Sequence, residues 1–293
     1  MTSQGQNRYT GRFAPTPTGP LHFGSLITAL ASYCDAHAQH GHWLVRIEDT
    51  DIPRNQHGAE ALIRHALAAF KLQSDQPIVR QQDRLSCYQH AIDRLAMQGM
   101  VYGCGCSRKQ LSERPHDAQW CRAQGLPLDG HAVRLIVPDR TFNFVDAIQG
   151  PQSENLTETI GDLVLRRRDG IISYQLAVVV DDAAQGVTHV MRGADLLDNT
   201  VRQIWLAKCL GLPSVQYAHL PLAMNANGQK LSKQNLAMAL DLNQAGTLMR
   251  RALIALGQPD PQSEQPAVLL QRAVDRWSLA RVPRHSTLLG VYQ

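Results

Sequence analysis

The apolar and polar positions along the chain alternate between two rhythms. Residues 8–14 predict a short strand. "GSLITALASYCDAHAQH" (24–40) spaces its apolar residues near 3.6 and predicts a helix closed by Gly41. "HWLVRI" (42–47) predicts a second strand, and 55–70 and 84–98 predict further helices. This alternation predicts an α/β fold with a parallel sheet. The rhythm breaks near Gly99. Residues 101–131 are rich in Cys, Gly, Pro and His and carry no clear period, and short strands are predicted at 132–137, 141–147 and 162–167. "SYQLAVVVDD" (173–182) is apolar on both faces, which predicts a strand buried between helix layers. A helix ending at Gly211 follows, then a strand at 215–222, a polar loop "NANGQKLSKQN" (225–235) and helical segments to the end. There is no internal repeat and no low-complexity tract.

Composition narrows the picture modestly. A chain of 293 residues can bury a sizeable core as one large domain or two moderate ones. No apolar run approaches the roughly 18 residues that span a bilayer, and the polar N-terminus lacks the apolar centre of a signal peptide. A cytoplasmic protein is therefore expected, with no membrane partner. The formal net charge is +4. From Gly246 onward six arginines face three acids, so the C-terminal part is basic and helical in pattern, suited to an anionic partner. Cys34, Cys87 and Cys209 lie among apolar neighbours and read as small buried residues.

The chemistry concentrates in two loops. "RFAPTPTGPLHFGS" (12–25) joins the first strand to the first helix. A helix that starts there presents free N–H groups and the positive end of its dipole beyond the sheet's carboxyl edge. Gly19 and Gly24 permit close backbone approach, prolines stiffen the loop, and His22 can aim a ring N–H at an anionic oxygen. Far along the same pattern, Lys230 and Lys233 flank Ser232 in the polar loop. Two lysines three apart suit a clamp on a triphosphate.

These residues resemble a known family. His22-Phe23-Gly24-Ser25 looks like a variant of the HIGH motif of class I aminoacyl-tRNA synthetases, and Lys230-Leu-Ser-Lys-Gln234 resembles their KMSKS motif. "RFAPTPTG", "RIEDTD" and "GVTHVMRGADLLDNTVRQ" resemble the glutamyl branch over residues 8 to about 235. The second His of HIGH is Ser25 here and the last Ser of KMSKS is Gln234, substitutions that branch tolerates. The resemblance implies a Rossmann-like parallel-sheet catalytic domain that joins the carboxylate of L-glutamate to the α-phosphate of ATP. His22, Gly24 and Ser25 would serve the nucleotide from one side, and Lys230, Ser232 and Lys233 from the other. Mg2+ would bridge phosphate oxygens. Arg12, Phe13, Ala14, Pro15 and Thr16 would face the amino acid, together with Glu48, Tyr174 and Arg192. The nucleophile is already ionised at neutral pH, so catalysis reduces to positioning and charge neutralisation.

Cys104, Cys106 and Cys121 fit three ligands of a structural Zn2+. Either His116 or Asp117 could complete the set. Zinc-bearing relatives use a tyrosine at the position of Asp117, but imidazole is the more usual companion of thiolates, so His116 is the expected fourth ligand and Asp117 the alternative. The expected organisation is two halves of a catalytic domain at 1–98 and 161–240, a zinc-bearing insertion at 99–160 and a helical extension at 241–293. Only 60 residues follow Lys233. That is short for the separate anticodon-binding domain of a glutamyl- or glutaminyl-tRNA synthetase. The wording of the first loop, the cysteines and this shortness together resemble the glutamyl-Q tRNA(Asp) synthetase family. The resemblance implies transfer of glutamate onto queuosine in the anticodon stem-loop of tRNA(Asp), with no DNA partner. The alternatives are a short glutamyl-tRNA synthetase acting on the acceptor end, an inactive RNA-binding relative, and a small-molecule nucleotidyltransferase.

Overall fold

The computed structural model describes residues 8–113, 116–224, 239–284 and 287–288. The chain opens with β1 (Thr10–Phe13), α1 (Phe23–Ala38), β2 (His42–Ile47), α2 (Ala59–Ala69), β3 (Val79–Arg80) and α3 (Leu85–Met97). Then come β4 (Val101–Cys104), α4 (Arg108–Glu113), α5 (Ala118–Ala123), β5 (Ala132–Leu135), β6 (Thr141–Asp146), β7 (Gly150–Asn155), α6 (Leu156–Thr159) and β8 (Leu163–Arg166). The remainder is α7 (Tyr174–Ala184), β9 (His189–Gly193), α8 (Thr200–Cys209), β10 (Gln216–Leu220), β11 (Leu222–Ala223), α9 (Ala245–Ala255), α10 (Pro266–Arg276) and β12 (Thr287–Leu288).

β1, β2 and β3 pair in parallel, and so do β9 and β10. The two ladders meet at β1 and β9, where the Thr188 N–H donates to the Thr10 carbonyl at 2.9 Å and Tyr9 stacks on His189 at 3.8 Å. From β1 the chain builds outward to β2 and β3, then returns to the other flank with β9 and β10. That reversal opens a crevice beyond the carboxyl ends of β1 and β9. α1, α9 and α10 share one apolar core with the sheet face carrying Phe13, Trp43, Val45 and Ile47. α3, α7 and α8 form a second core with the antiparallel sheet β4-β5-β8. β6 and β7 make a separate hairpin.

Local chemistry explains where α1 starts and stops. His22 caps it, its Nδ1 accepting the Ser25 N–H at 3.2 Å. After α1 the chain turns at His40, φ +52°; at the next residue, Gly41, an added Cβ would sit 2.4 Å from the Tyr9 carbonyl, so β1 and the start of β2 approach closely only because this residue has no side chain.

One expected element is wrong. Residues 174–184 are the helix α7, not a buried strand, so Tyr174 begins a helix. Ser173 caps it by accepting the Leu176 N–H, and Gly186 closes it at φ +65°. Leu176, Ala177, Val178, Val179, Asp181 and Asp182 are all buried, so the helix is wrapped round most of its circumference. A helix buried on nearly all sides shows the same unbroken apolar run as a two-faced strand. The strand that completes the sheet is β9, in "THVMRG".

Candidate functional site

Arg12 points from β1 into a buried ion network. Its Nε and Nη2 donate to the Asp182 carboxylate of α7 at 3.2 and 3.5 Å. Arg46 of β2 reaches the same carboxylate at 2.8 Å and Glu48 at 3.2 Å, and its side chain is completely buried. Burial alone would raise the Asp182 carboxyl, but Arg12 and Arg46 outweigh it and hold the group below its ordinary value. Burial wins at Glu48, whose carboxyl is raised despite Arg46 and Arg12. Neighbouring Asp181 accepts from Gln81, Arg84 and Tyr88 at 3.0, 2.6 and 2.7 Å, locking α7 to α3 and the segment before it.

Arg192 of β9 lies across the crevice, only 4% exposed. All five of its N–H groups have acceptors: His219 Nε2, Tyr174 Oη, Gln203 Oε1, Thr200 Oγ1 and the Leu196 carbonyl, at 2.8–3.2 Å. Every one of these acceptors is neutral, and no carboxylate among the described residues pairs with Arg192. A buried cation without a counter-charge draws an anionic ligand. Its guanidinium lies 5.5 Å from the Tyr217 ring centre. Burial pushes the Tyr217 hydroxyl up to about 12 against the opposing charge of Arg192. Arg12 and Arg192 stand near the carboxyl ends of the neighbouring strands β1 and β9, so both border one crevice.

The loop between β1 and α1 closes over this region. Glu48 N–H donates to the Pro15 carbonyl at 3.0 Å and Gln56 N–H to the Pro17 carbonyl at 2.9 Å, tying the loop to the end of β2 and the turn beyond. Phe13 is in the core with its ring stacked on Trp43 at 6.4 Å, and Pro15 is buried, while Ala14 and Thr16 are half-buried. Because His22 Nδ1 accepts from the Ser25 amide, the neutral ring carries its proton on Nε2. Gly24 and Ser25 lie in the first turn of α1, both half-buried. Lys230, Ser232 and Lys233 lie outside the described residues.

The cysteine block assembles as a cluster. Ligand atoms of Cys104, Cys106, His116 and Cys121 all lie within 4.8 Å of one another. Cys106 Sγ and Cys121 Sγ are 3.4 Å apart, Cys104 Sγ and Cys121 Sγ 3.9 Å, and His116 Nε2 is 3.4 Å from Cys104 Sγ. Zinc–sulfur bonds of about 2.3 Å in a tetrahedron would hold sulfurs about 3.8 Å apart, so the donor set and spacing fit that ion. Asp117 is used otherwise: its carboxylate caps α5 by accepting the Trp120 N–H at 2.8 Å. Burial would raise the Cys104 thiol, but the Cys106 N–H and Arg134 overcome it and hold the thiol low. Burial, with Arg134, lowers His116 and keeps the imidazole neutral, the form that ligates.

Residue-by-residue reading of the sequence did not single out Arg46, Asp146, Asp182, Gln203 or His219. The acidic pair in "VVVDD" was a visible signal for Asp182. A separate cavity of about 790 Å3 at the opposite end of the sheet is lined by Tyr9, Asp35, His189 and Trp277. The buried arginines converge at the carboxyl edge instead.

Parallel strands with a crevice at their reversal, a histidine-capped helix and buried arginines define the catalytic fold of a class I synthetase. The model for "tRNA synthetases class I (E and Q), catalytic domain" matches residues 9–126 and 122–256, and the chain belongs to that family of ligases. It is 55% identical, over 97% of both chains, to a glutamyl-Q tRNA(Asp) synthetase of Acinetobacter baylyi. It is 50% identical, over 95% of this chain and 98% of the relative, to the protein of that name from Neisseria meningitidis serogroup C. A glutamate tRNA ligase from Elizabethkingia meningosepticum, solved with its amino acid, shares the fold at TM-score 0.82 and 24% identity, covering 96% of this chain and 67% of that one. No described helix is long and apolar enough to cross a membrane.

Proposed function

We propose that this enzyme activates L-glutamate with ATP and esterifies it onto queuosine in the anticodon of tRNA(Asp). The observation that carries the amino-acid half is Arg192, a buried guanidinium surrounded only by neutral acceptors. The side-chain carboxylate of glutamate supplies the missing charge, and Tyr174 at the head of α7 offers its hydroxyl beside it. Arg12, oriented by Asp182, and Glu48, beside Arg46, mark the ends where the second carboxylate and the ammonium bind. The loop 13–16 lines that end through its backbone.

In the first step an α-carboxylate oxygen attacks the α-phosphorus of ATP and pyrophosphate leaves. His22 donates Nε2–H to a phosphate oxygen from the start of α1, with Gly24 and Ser25 at the helix entrance. Lys230, Ser232 and Lys233 would neutralise the phosphates from the other side. Mg2+ bound with ATP would spread the charge of the phosphates. In the second step a hydroxyl of the cyclopentenediol of queuosine attacks the acyl carbon, AMP leaves with the bonding pair, and the hydroxyl proton passes to its phosphate or to solvent. Zn2+ held by Cys104, Cys106, His116 and Cys121 would be structural, cross-linking β4 to α5. The RNA assignment rests on the names of the full-length relatives. A cytoplasmic site of action agrees with an RNA substrate.

Charging with labelled glutamate tests the whole reading. Label on tRNA(Asp) that contains queuosine, and none on the same RNA lacking it or on tRNA(Glu), is the expected result. Label on the acceptor end of tRNA(Glu) alone would replace this reading with that of a short glutamyl-tRNA synthetase.

A further inference from the structure

His219 is fully buried on β10, in register with Arg192 on β9. Its two ring nitrogens face partners of opposite character. Nδ1 lies 2.6 Å from Asp146 Oδ2, while Nε2 lies 3.0 Å from Arg192 Nε and 3.2 Å from Thr200 Oγ1. A guanidinium only donates, so Nε2 must accept from it, and a carboxylate only accepts, so Nδ1 must carry the proton. The ring is therefore neutral and in one tautomer. Asp146 is itself held firmly, because its Oδ1 accepts the backbone N–H groups of Ile148, Gln149 and His219 at 2.8–3.1 Å.

We propose that Asp146 and His219 form a positioning dyad that aims the Arg192 guanidinium at the glutamate side chain. The inference rests on the reading of Arg192 as the glutamate-binding cation. His219 takes the Nε–H, which fixes the plane and rotation of the guanidinium. Its two terminal nitrogens then face Tyr174, Gln203 and Thr200. An aspartate placed directly against Arg192 would fix it equally well. It would also neutralise the cation and compete with the substrate's carboxylate. An imidazole set between them transmits the orientation and keeps the negative charge one ring away. Burial and the charge of Arg192 keep the ring neutral, lowering its pKa against the pull of Asp146. Asp146 ends β6, and β6 is tied to β10 by the Ala147 N–H on the Tyr217 carbonyl at 2.9 Å. The hairpin β6-β7 thereby takes part in shaping the amino-acid pocket.

Two substitutions separate the two halves of the dyad. His219→Asn keeps an N–H for Asp146 but has no atom that reaches Arg192. His219→Gln places an oxygen near the Nε2 position, so it accepts from Arg192 and gives up Asp146. In glutamate-dependent ATP–pyrophosphate exchange, His219→Asn should raise the glutamate KM about tenfold or more, the usual weight of a hydrogen bond to a charged group. The KM for ATP should stay near its starting value, and His219→Gln should recover most of the glutamate KM. An unchanged glutamate KM in the Asn variant overturns the dyad, and so does equal damage in both variants or a matching rise in the KM for ATP. Arg192→Lys is the control for the underlying reading. If it leaves glutamate KM unchanged, that reading fails; if it raises KM while His219→Asn does not, only the dyad fails. Should the Asn variant not fold, the imidazole 15N spectrum of the unaltered protein decides. A protonated Nδ1 with a bare Nε2, assigned by its loss in His219→Gln, supports the dyad, and the opposite tautomer overturns it.

Discussion

Asp182→Asn tests the ion network that holds the crevice together. The carboxylate bridges Arg12 and Arg46 at 3.2 and 2.8 Å, and the arginine side chains are 3% and 0% exposed. Asparagine fits the same space but removes the charge and can turn a donor toward one guanidinium. Arg46 keeps Glu48 at 3.2 Å and Asp181 at 3.9 Å, whereas Arg12 keeps no carboxylate partner among the described residues. Breaking a buried pair costs about 3–5 kcal/mol, and the two remaining acids beside Arg46 place this case near the lower end. At about 2–4 °C per kcal/mol for a chain of this size, the melting temperature should fall by about 6–12 °C. Thermal denaturation by circular dichroism measures that. Pyrophosphate exchange well below the transition should show a raised glutamate KM, because Arg12 has lost the group that orients it. A melting temperature within about 2 °C of the parent, with glutamate KM unchanged, would refute the claim that Asp182 holds Arg12 in a binding position.

Lys233→Ala should slow glutamate-dependent pyrophosphate exchange by about a hundredfold or more, the scale of losing one charge-stabilising group, with the far-UV spectrum unchanged; near-normal exchange would remove the clamp role. Cys104→Ser should release one zinc per chain and expose 104–125 to limited proteolysis, measured by elemental analysis and digestion; unaltered protein that binds no zinc would end the metal assignment. Stability should fall as pH drops below about 6.5. Burial lowers the pKa of His219 and His189 in the folded chain, so the unfolded chain takes up protons first. Each such histidine removes up to about 1.4 kcal/mol per pH unit between its unfolded and folded values. The raised carboxyl of Glu48 acts in the opposite direction, since its protonation favours the fold. His219→Gln leaves that opposing effect in place and should flatten the slope between pH 7 and 5.5 in urea titrations; an unchanged slope would mean that His219 is not buried neutral.

The first half of the fold was legible because each of its elements satisfies its own pattern. α1 carries a cap and an apolar stripe within one short window, although its left-handed terminating residue is His40 at φ +52° and not Gly41, and β2 is a simple apolar run. α7 was not legible for a physical reason. It packs against α3 and α8, with its Asp181 and Asp182 turned to buried arginines, so it lacks the polar face that marks a helix of period 3.6. β4, α5 and β7 escaped notice because their order comes from outside themselves. β4 is ordered by pairing with β5, the short α5 sets its Cys121 against Cys104 and Cys106, and β7 exists as the register partner of β6.

The site divides the same way. Arg12, Glu48, His22 and Arg192 stand in short motifs, and their chemistry could be guessed from type and neighbours. What makes each one useful could not. Arg12 meets Asp182 across 170 positions, Arg46 meets it across 136, and His219 meets Asp146 across 73. No local spacing encodes such pairs, because sheet order creates them. β9 returns beside β1 only after the whole of 99–188, and only then do Arg12 and Arg192 border one crevice. The difference between them lies in their partners. Arg12 is neutralised by Asp182 and held in place, whereas Arg192 is held by neutral atoms, with the Asp146 carboxylate set back behind an imidazole. The sequence shows two arginines of equal charge. Their surroundings leave the positive potential at Arg192, which is why the proposed function puts the acidic side chain of the substrate at that end of the crevice.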